Sequence, residues 1–143
     1  MHTFLLPIDE SETRAERAAN TVLELPGSTE EKAVLLLNVS ESTKQPWLQE
    51  FEAQRADGAS EPSLPDSTNA AYQLLEEAGV AVETRLEEGD VTECILEVAD
   101  DVDADSIIMS GRQKSATGKV LFGSITQSVL LNTDRPVTVL MSD

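Results

Sequence analysis

The sequence predicts an α/β protein built on a doubly wound, five-stranded parallel sheet. Five apolar segments of strand length alternate with four segments whose apolar residues recur at helical spacing. Two of the strand segments are continuous apolar runs rather than alternating patterns, which is typical of strands covered on both faces of a parallel sheet. With right-handed crossovers between consecutive strands, the sheet order consistent with this count and length is 3-2-1-4-5.

The first strand and helix are read from residues 4–27. Residues 4–8 form an apolar run in which Pro7 must lie at the strand's end, because proline cannot donate to a central ladder. Thr13-x-x-Glu16 is a capping box that would begin the first helix, with Ser11 as an alternative cap. Pro26-Gly27 would end that helix.

The second strand covers residues 33–39, and a polar stretch at about 40–66 follows it. This connection contains several prolines as well as Trp47, and it is long for a compact domain, so we expect either a flexible flap or a functional lid. Asp66 or Ser67 would cap the next helix, and Gly79 would end it in the left-handed conformation.

The remaining elements follow without long gaps. Residues 80–86 alternate, which suits a strand at the edge of the sheet. Asp90-x-x-Glu93 would cap a helix over residues 91–99. Residues 106–109 form the short, buried fourth strand, and residues 137–141 form the C-terminal strand.

Composition limits the class of protein. The 143 residues predict one domain, 1–143. No apolar run approaches the roughly 20 residues needed to cross a membrane. The N-terminal residues lack the basic region of a signal peptide. We therefore expect a soluble, cytoplasmic protein.

The net charge is strongly negative, with 27 acidic residues against 10 basic ones and a sum of −17. Such a charge repels nucleic acid and anionic membranes, so neither is expected as a partner. The acidic residues are interleaved with periodic apolar ones, which indicates the surface of a folded domain. The chain has few lysines, and its many acidic residues are spread along its length. This composition resembles that of proteins from a high-salt cytoplasm, where repulsion between charges is screened, and we expect a haloarchaeal type.

Cysteine and histidine are too scarce for most catalytic or metal sites. Cys94 is the only cysteine and shares an apolar helix face with Val91, Ile95 and Val98, which favours a buried hydrophobic role over a reactive thiol. His2 is the only histidine and lies near the N-terminus, so the chain lacks the histidines that a Ser-His-Asp triad or a histidine metal site would normally use. We predict no catalytic and no metal-binding residues.

Residues 106–126 are the strongest candidate for a ligand site. They predict a strand, a polar loop rich in Gly, Ser and Lys, and a helix that begins at Gly123-Ser124 and carries Ile125, Val129 and Leu130. This arrangement turns unpaired backbone N–H groups toward an anion, although the same residues also fit a tight connection without a ligand. In a sheet of this order, ligands bind where strands 1 and 4 end, beside Asp9 and the loop after Met109.

The whole chain resembles the universal stress protein family. The resemblance rests on PIDESE after the first strand, VLLLNVSE at the second, ADSIIMSG into the fourth, GSIT at the last helix and DRPVTVL at the end. It implies a flavodoxin-like fold, also called adenine nucleotide alpha hydrolase-like, and a homodimer paired through residues 137–141. One branch of the family binds ATP through a loop G-x2-G-x9-G-[S/T] directly after the fourth strand.

This chain departs from that loop at two positions. Ser110 and Gln113 stand where the first two glycines are expected, whereas the nine-residue spacer and Gly123-Ser124 are kept. Gln113 would put a side chain where a phosphate would lie. The loop also contains the basic residues Arg112, Lys114 and Lys119. They indicate either an anion bound by side chains or cations that only compensate the acidic surface. A Walker A motif is missing, since Val120 follows Lys119.

The resemblance implies a nucleotide site formed by the ends of three strands, the loop and the last helix. Its residues are Pro7, Asp9, Val39, Met109, Ser110, Gly111, Arg112, Gln113, Lys114, Gly123, Ser124 and Ile125. Asp9 would contact the ribose or adenine side of the ligand, or else be only a helix-cap carboxylate that ends a strand. Val39 would offer main-chain contacts to adenine.

Three functions follow from this site. The first is a stress-response module that binds ATP or another adenine nucleotide, with Mg²⁺ as an accompanying ion and little or no turnover. The second is a dimeric interaction protein of the same fold with no cofactor and an unidentified protein partner, as the substitutions Ser110 and Gln113 suggest. The third and weakest is a nucleotide hydrolase.

Overall fold

The computed structural model describes residues 1–40, 65–110 and 123–141, and these form alternating strands and helices. In chain order they are β1 (His2–Pro7), α1 (Glu12–Glu24), β2 (Lys32–Ser40), α2 (Asp66–Glu77), β3 (Ala81–Glu88), α3 (Val91–Asp101), β4 (Ser106–Ser110), α4 (Ser124–Asn132) and β5 (Val137–Leu140). A short 3₁₀ turn, Thr29–Glu31, leads into β2.

The five strands form one parallel sheet in the order β3-β2-β1-β4-β5, which confirms the predicted topology. The central strand β1 pairs with β2 on one side and β4 on the other, so that Leu5 lies opposite both Leu35 and Ile107. Successive crossovers move away from β1 in one direction and from β4 in the other. The two strands therefore meet at the switch point of the sheet.

Two apolar clusters cover the two faces of the sheet and explain the continuous apolar runs. Helices α1 and α2 pack on one face, where Leu6 and Leu36 are fully buried. Helices α3 and α4 pack on the other face, where Leu5 and Leu37 are fully buried. Because successive side chains of a strand point to opposite faces, consecutive positions in the middle of a doubly covered strand are apolar.

The start of α1 corrects one prediction and supports its alternative. Ser11, not Thr13, is the N-cap residue, and its hydroxyl accepts from the Arg14 amide at 3.2 Å. The helix begins at Glu12, so Thr13 already lies inside the first turn and cannot cap it. The end of the helix before Pro26-Gly27 is as predicted, since the last helical residue is Glu24.

The start of α2 corrects a second prediction. Its N-cap residue is Pro65, and no side chain accepts a capping hydrogen bond there. Neither Asp66 nor Ser67 caps the helix, because both are already helical residues. The predicted stop at Gly79 is confirmed by its φ of 88°, a left-handed conformation that favours glycine.

The other predicted features agree with the described structure. The Asp90 carboxylate accepts from the Glu93 amide at 2.9 Å and caps α3. Cys94 is buried on that helix, and β3 lies at the edge of the sheet. On α4, Val129 is buried and Ile125 packs against the same apolar cluster, whereas Leu130 is 37% exposed.

The predicted flap or lid lies almost entirely outside the described residues, since the structure describes neither 41–64 nor Trp47 within it. In the described ranges, no helix is long and apolar enough to span a membrane.

Candidate functional site

The candidate site lies at the edge of the sheet where β1 and β4 end. Pro7 is the last residue of β1, and Ser110 is the last residue of β4. The two strands are parallel neighbours, so their carboxyl ends reach the same edge. This arrangement brings the turn that contains Asp9 and the end of β4 to one side of the molecule, as the sequence predicted.

The Asp9 carboxylate is held by two donors of the chain. One oxygen, Oδ1, accepts from the Ser11 amide at 2.8 Å. The other, Oδ2, accepts from Arg14 Nε at 2.9 Å, and about half of the Asp9 side chain is exposed to solvent. A carboxylate offers about four acceptor positions, so roughly two stay available. Asp9 can therefore accept further hydrogen bonds from a hydroxyl or amino group.

The alternative interpretation of Asp9 also finds some support. Its carboxylate binds a backbone amide at the start of α1, as a capping carboxylate would. Ser11, however, is the residue that caps the helix. The contact with the Ser11 amide thus shapes the turn between β1 and α1 and fixes the direction of the carboxylate.

Arg14 was not identified from the sequence. Its ion pair with Asp9 is solvent-exposed on both sides, with 44% and 51% of the two side chains accessible. Pairs of this kind contribute about 0–1 kcal/mol to stability. The main consequence of the contact is orientation, because it fixes one carboxylate oxygen by a charged hydrogen bond. The only sequence signal was a basic residue in the first turn of the following helix.

The first turn of α4 forms the second part of the site. Gly123 is its N-cap residue, no side chain caps the helix, and the first turn carries no acidic residue. The first hydrogen bond of the helix is donated by the Gln127 amide to the Gly123 carbonyl at 3.0 Å. The N–H groups of Ser124 and Ile125 therefore have no acceptor within the helix. Together with the helix dipole, they favour an anion at this end.

Thr126 joins this helix end to β4 and was also missed by sequence reasoning. Its hydroxyl donates to the carbonyl of Ser110 at 3.3 Å, and its side chain is buried. The contact holds Gly123 and Ser124 beside the end of β4. The available signal was a polar residue on the buried face of the helix, between Ile125 and Val129.

The strand residues of the predicted site are mainly part of the core. Met109 is buried, and Val39 and Met109 belong to the apolar cluster shared with α3 and α4. Val39 lies opposite Glu87 in the pairing of β2 with β3. Pro7 is half-buried at the end of β1. At the candidate site, these residues would act mainly through their backbone atoms.

The central part of the predicted loop lies outside the described residues. Gly111, Arg112, Gln113 and Lys114 all fall between 110 and 123, as does Lys119. The interpretation of these residues as an anion-binding set stays a prediction.

An open groove of about 430 Å³ between α1 and α2 has a different chemistry. Its lining residues are Glu12, Glu16, Asp66, Asn69, Ala70, Gln73, Leu74 and Glu77. Four carboxylates repel a phosphate group, and no predicted site residue lines this groove. The groove is therefore not a candidate nucleotide site. Within the described ranges, no group of three or more His, Cys, Asp or Glu residues could hold a metal ion.

Comparisons with known proteins agree with the fold and with the resemblance seen in the sequence. The model of the universal stress protein family matches residues 1–140. Universal stress protein Sll1654 from Synechocystis sp. is 33% identical over 138 residues, which cover 96% of this chain and 84% of that protein. A solved structure of the Methanocaldococcus jannaschii protein MJ0577 superimposes with a TM-score of 0.71 at 25% identity, covering 99% of this chain and 96% of the other.

A third similar structure carries a ligand. The universal stress protein from Archaeoglobus fulgidus, solved in complex with dAMP, has a TM-score of 0.65. It is 19% identical, and the match covers 97% of each chain. At this identity, the likeness concerns the fold.

Proposed function

The chain belongs to the universal stress protein family, and on this premise we propose that it is a stress-response module that binds ATP or a related adenine nucleotide. The ligand lies at the edge where β1 and β4 end, and it is turned over slowly or not at all. One observation carries the proposal. The acceptor-only carboxylate of Asp9 and the uncapped N-terminus of α4 occupy the same edge at the switch point of the sheet.

The two halves of the edge have complementary chemistry for a nucleotide. The N–H groups of Ser124 and Ile125 receive a phosphate. Asp9 accepts from a ribose hydroxyl or an adenine amino group, and the backbone near Val39 borders the base. Arg112 and Lys114, which lie between β4 and α4 in the sequence, supply the type of side chain that binds phosphates. The structurally similar family member in complex with dAMP supports an adenine nucleotide as the ligand class.

Mg²⁺ would accompany ATP rather than occupy a site of the protein. The described residues offer no cluster of ligands for a metal ion. Both Asp9 oxygens already accept hydrogen bonds, one of them from the cationic side chain of Arg14. The phosphate oxygens and water are therefore the expected ligands of such an ion.

The test compares nucleotide binding by the wild-type chain with two matched variants. Asp9→Asn removes an acceptor at the site, whereas Asp134→Asn removes a carboxylate that is also exposed and lies just before β5, at the opposite end of the strands. ATP at 100 times its dissociation constant should stabilise the wild type by about 2.7 kcal/mol. We expect Asp9→Asn to weaken binding about tenfold, since a charged hydrogen bond contributes about 1.5 kcal/mol, and Asp134→Asn to bind normally.

The same experiment separates the other functions. No thermal shift with millimolar ATP and Mg²⁺ would overturn nucleotide binding and leave a ligand-free interaction protein of this fold. Ser110 and Gln113, which stand where the first two loop glycines are expected, are the observation that favours this second function. Release of phosphate that is abolished in Asp9→Ala would instead identify a nucleotide hydrolase.

We also propose that two copies pair through the last strand. β5 is the outermost strand on one side of the sheet, and its four residues are only partly buried. An apolar edge strand is a ready surface for another chain, and a two-fold axis would pair the strand, with Met141 beyond it, against its own copy. Sedimentation in molar salt should give a dimer. A strictly monomeric profile would contradict this proposal.

The acidic composition supports a proposal about the environment. We propose that the surface suits a cytoplasm of high ionic strength. The chain has 27 acidic residues and only 10 basic ones, and the excess negative charges repel one another in dilute buffer. This proposal is independent of the nucleotide site, and the dependence of stability on salt tests it.

A further inference from the structure

The backbone just after β1 is bound by side chains from β2 and α2. Ser67 Oγ donates to the carbonyl of Asp9 at 2.6 Å. Asn38 Nδ2 is 3.4 Å from the carbonyl of Ile8, and Asn38 Oδ1 accepts from Thr68 Oγ1 at 2.8 Å. We call these three residues, Asn38, Ser67 and Thr68, the polar relay.

The two hydroxyls of the relay are almost inaccessible to solvent. Ser67 is 2% exposed and Thr68 is 0% exposed. A buried hydroxyl costs free energy unless it is hydrogen-bonded, so its partner is strongly specified. Both residues lie inside the first turn of α2, after the N-cap residue Pro65, so they are not in the position from which Ser and Thr cap a helix. No side chain caps this helix. The Ser67 hydroxyl is directed to the turn after β1 instead, and the Thr68 hydroxyl to the Asn38 side chain of β2.

Asp9 is consequently held from two directions. Helix α1 holds its carboxylate through Ser11 N and Arg14 Nε, at 2.8 and 2.9 Å. Helix α2 holds its backbone carbonyl through Ser67. The Ile8 amide is also fixed, since it donates to Leu37 O at 2.8 Å. The position of the carboxylate therefore depends on α2 as well as on α1.

We propose that the polar relay positions Asp9 for ligand binding, so that α2 tunes nucleotide affinity without contacting the nucleotide. The relay residues are positioning residues that act through Asp9. The effect on affinity rests on the proposed function, whereas the effect on the turn does not. Loss of the Ser67 hydroxyl frees the Asp9 carbonyl, and the carboxylate loses its fixed place at the edge of the sheet.

The test uses two relay variants, Ser67→Ala and Thr68→Val, with Thr21→Val as the matched control. Thr21 also donates a hydroxyl hydrogen bond to a carbonyl, that of Arg17 at 2.8 Å, but on the exposed side of α1. The first readout is hydrogen exchange of the Ser11 amide, which is bound to Asp9. We expect about tenfold faster exchange in both relay variants and wild-type exchange in the control.

The second readout is a double-mutant cycle on nucleotide affinity. Ser67→Ala alone should weaken ATP binding about threefold to tenfold, within the range of coupling between residues that share a network. In the Asp9→Asn background, the same change should weaken binding less than about twofold, because the group that it positions is already altered.

The outcomes distinguish this inference from the proposed function. If the wild-type chain binds no nucleotide but Ser11 exchange accelerates in the relay variants, the proposed function fails and the positioning role stands. Unchanged Ser11 exchange in both relay variants would overturn the positioning role. So would equal losses of affinity with and without Asp9, since these would indicate a general effect on folding.

Discussion

Lys32 is enclosed at the start of β2, although lysine is one of the residues least often buried. Its ammonium group donates to the carbonyls of Val22 and Leu25 at 2.8 and 2.7 Å. These carbonyls lie at the C-terminal end of α1, where they have no helical partner and where the helix dipole favours a cation. A single buried side chain thus completes a helix that precedes it in the chain.

This contact leads to a prediction about stability. Lys32→Met keeps the apolar stem and removes the donor, which leaves the buried carbonyl of Val22 and the partly buried carbonyl of Leu25 without this hydrogen bond. We expect a loss of about 2 kcal/mol in the free energy of unfolding, measured by urea titration. Glu31→Gln, at the exposed neighbouring position, should change stability by less than about 0.5 kcal/mol. Equal unfolding midpoints for wild type and Lys32→Met would contradict the prediction.

Cys94 provides a prediction about pH. Burial raises the pKa of its thiol, and the carboxylates of Glu87, Glu97, Asp90 and Glu93 raise it further. The unfolded thiol ionises near its ordinary pKa of about 8.5, whereas the folded thiol stays protonated to higher pH. Its contribution to stability is therefore full below the unfolded pKa and is lost as the pH rises through the folded pKa.

Two measurements check this behaviour. At about pH 8.5, a thiol reagent should label native Cys94 at least about tenfold more slowly than the urea-unfolded chain, because the thiolate is the nucleophile and the site is buried. Between about pH 8 and 10, the free energy of unfolding should decrease less for Cys94→Ala than for the wild type, because the variant has no thiol to ionise. Labelling of the native protein at the unfolded rate would refute the assignment.

At the scale of whole elements, helices α2 and α3 begin with similar sequences but different contacts. Asp90 caps α3 through the Glu93 amide. Asp66 is already inside the first turn of α2 and makes no cap. The pattern of an acidic residue before an apolar run is thus a reliable cap only where the helix actually begins at the following residue.

The two aspartates form a matched pair of variants. Asp90→Ala should cost about 1 kcal/mol, the usual effect of removing an N-cap carboxylate. Asp66→Ala should cost only about 0.3–1 kcal/mol, from the helix dipole alone. Chemical denaturation of both variants measures the difference. A larger loss for Asp66→Ala than for Asp90→Ala would contradict the assignment of the caps.

Connections between elements are also secured by charged groups. Arg135, in the turn before β5, donates to Asp100 at the end of α3 and to Asp103 in the turn before β4. The same guanidinium donates to the carbonyl of Ala104. Hydrogen bonding to Asp100 is the main reason that the pKa of Arg135 is raised. The loops that lead into β4 and β5 are thereby joined at the amino ends of the strands, opposite the candidate site.

On the scale of the whole molecule, the net charge of −17 predicts a stability that depends on salt. The groove between α1 and α2 concentrates like charges, including Glu12 and Glu16 one helical turn apart. The screening length falls from about 10 Å at 0.1 M salt to about 3 Å at 1 M. Repulsion between these carboxylates therefore weakens as salt is added, and the folded state gains stability.

Thermal unfolding in increasing KCl tests this prediction. The melting temperature should rise between about 0.1 and 1 M KCl. Glu16→Gln should raise stability at low salt by about 0.3 kcal/mol and reduce the salt dependence, whereas Gln73→Glu, in the same groove, should increase it. A melting temperature that falls with added KCl would contradict both the prediction and the proposed high-salt environment.

The sequence by itself was sufficient for the elements and their topology. Continuous apolar runs at β1 and β2 indicated strands covered on both faces, and their alternation with four helical segments led to the observed sheet order. Local hydrogen-bonding patterns were equally informative where donor and acceptor lie within one turn, as at Asp90 and Glu93. These features depend on the period of a helix or strand, which neighbouring residues determine.

Only the tertiary structure decided how the candidate site is supported. Ser67 donates to the carbonyl of Asp9, 58 residues away, and Thr126 donates to the carbonyl of Ser110, 16 residues away. Arg14 is close to Asp9 in the chain, but their contact required the helix to begin at Glu12. A polar side chain near the start of a helix can cap that helix or bind a neighbouring element. Packing of the layers brings the second acceptor within reach, and burial of the hydroxyl then makes that contact obligatory.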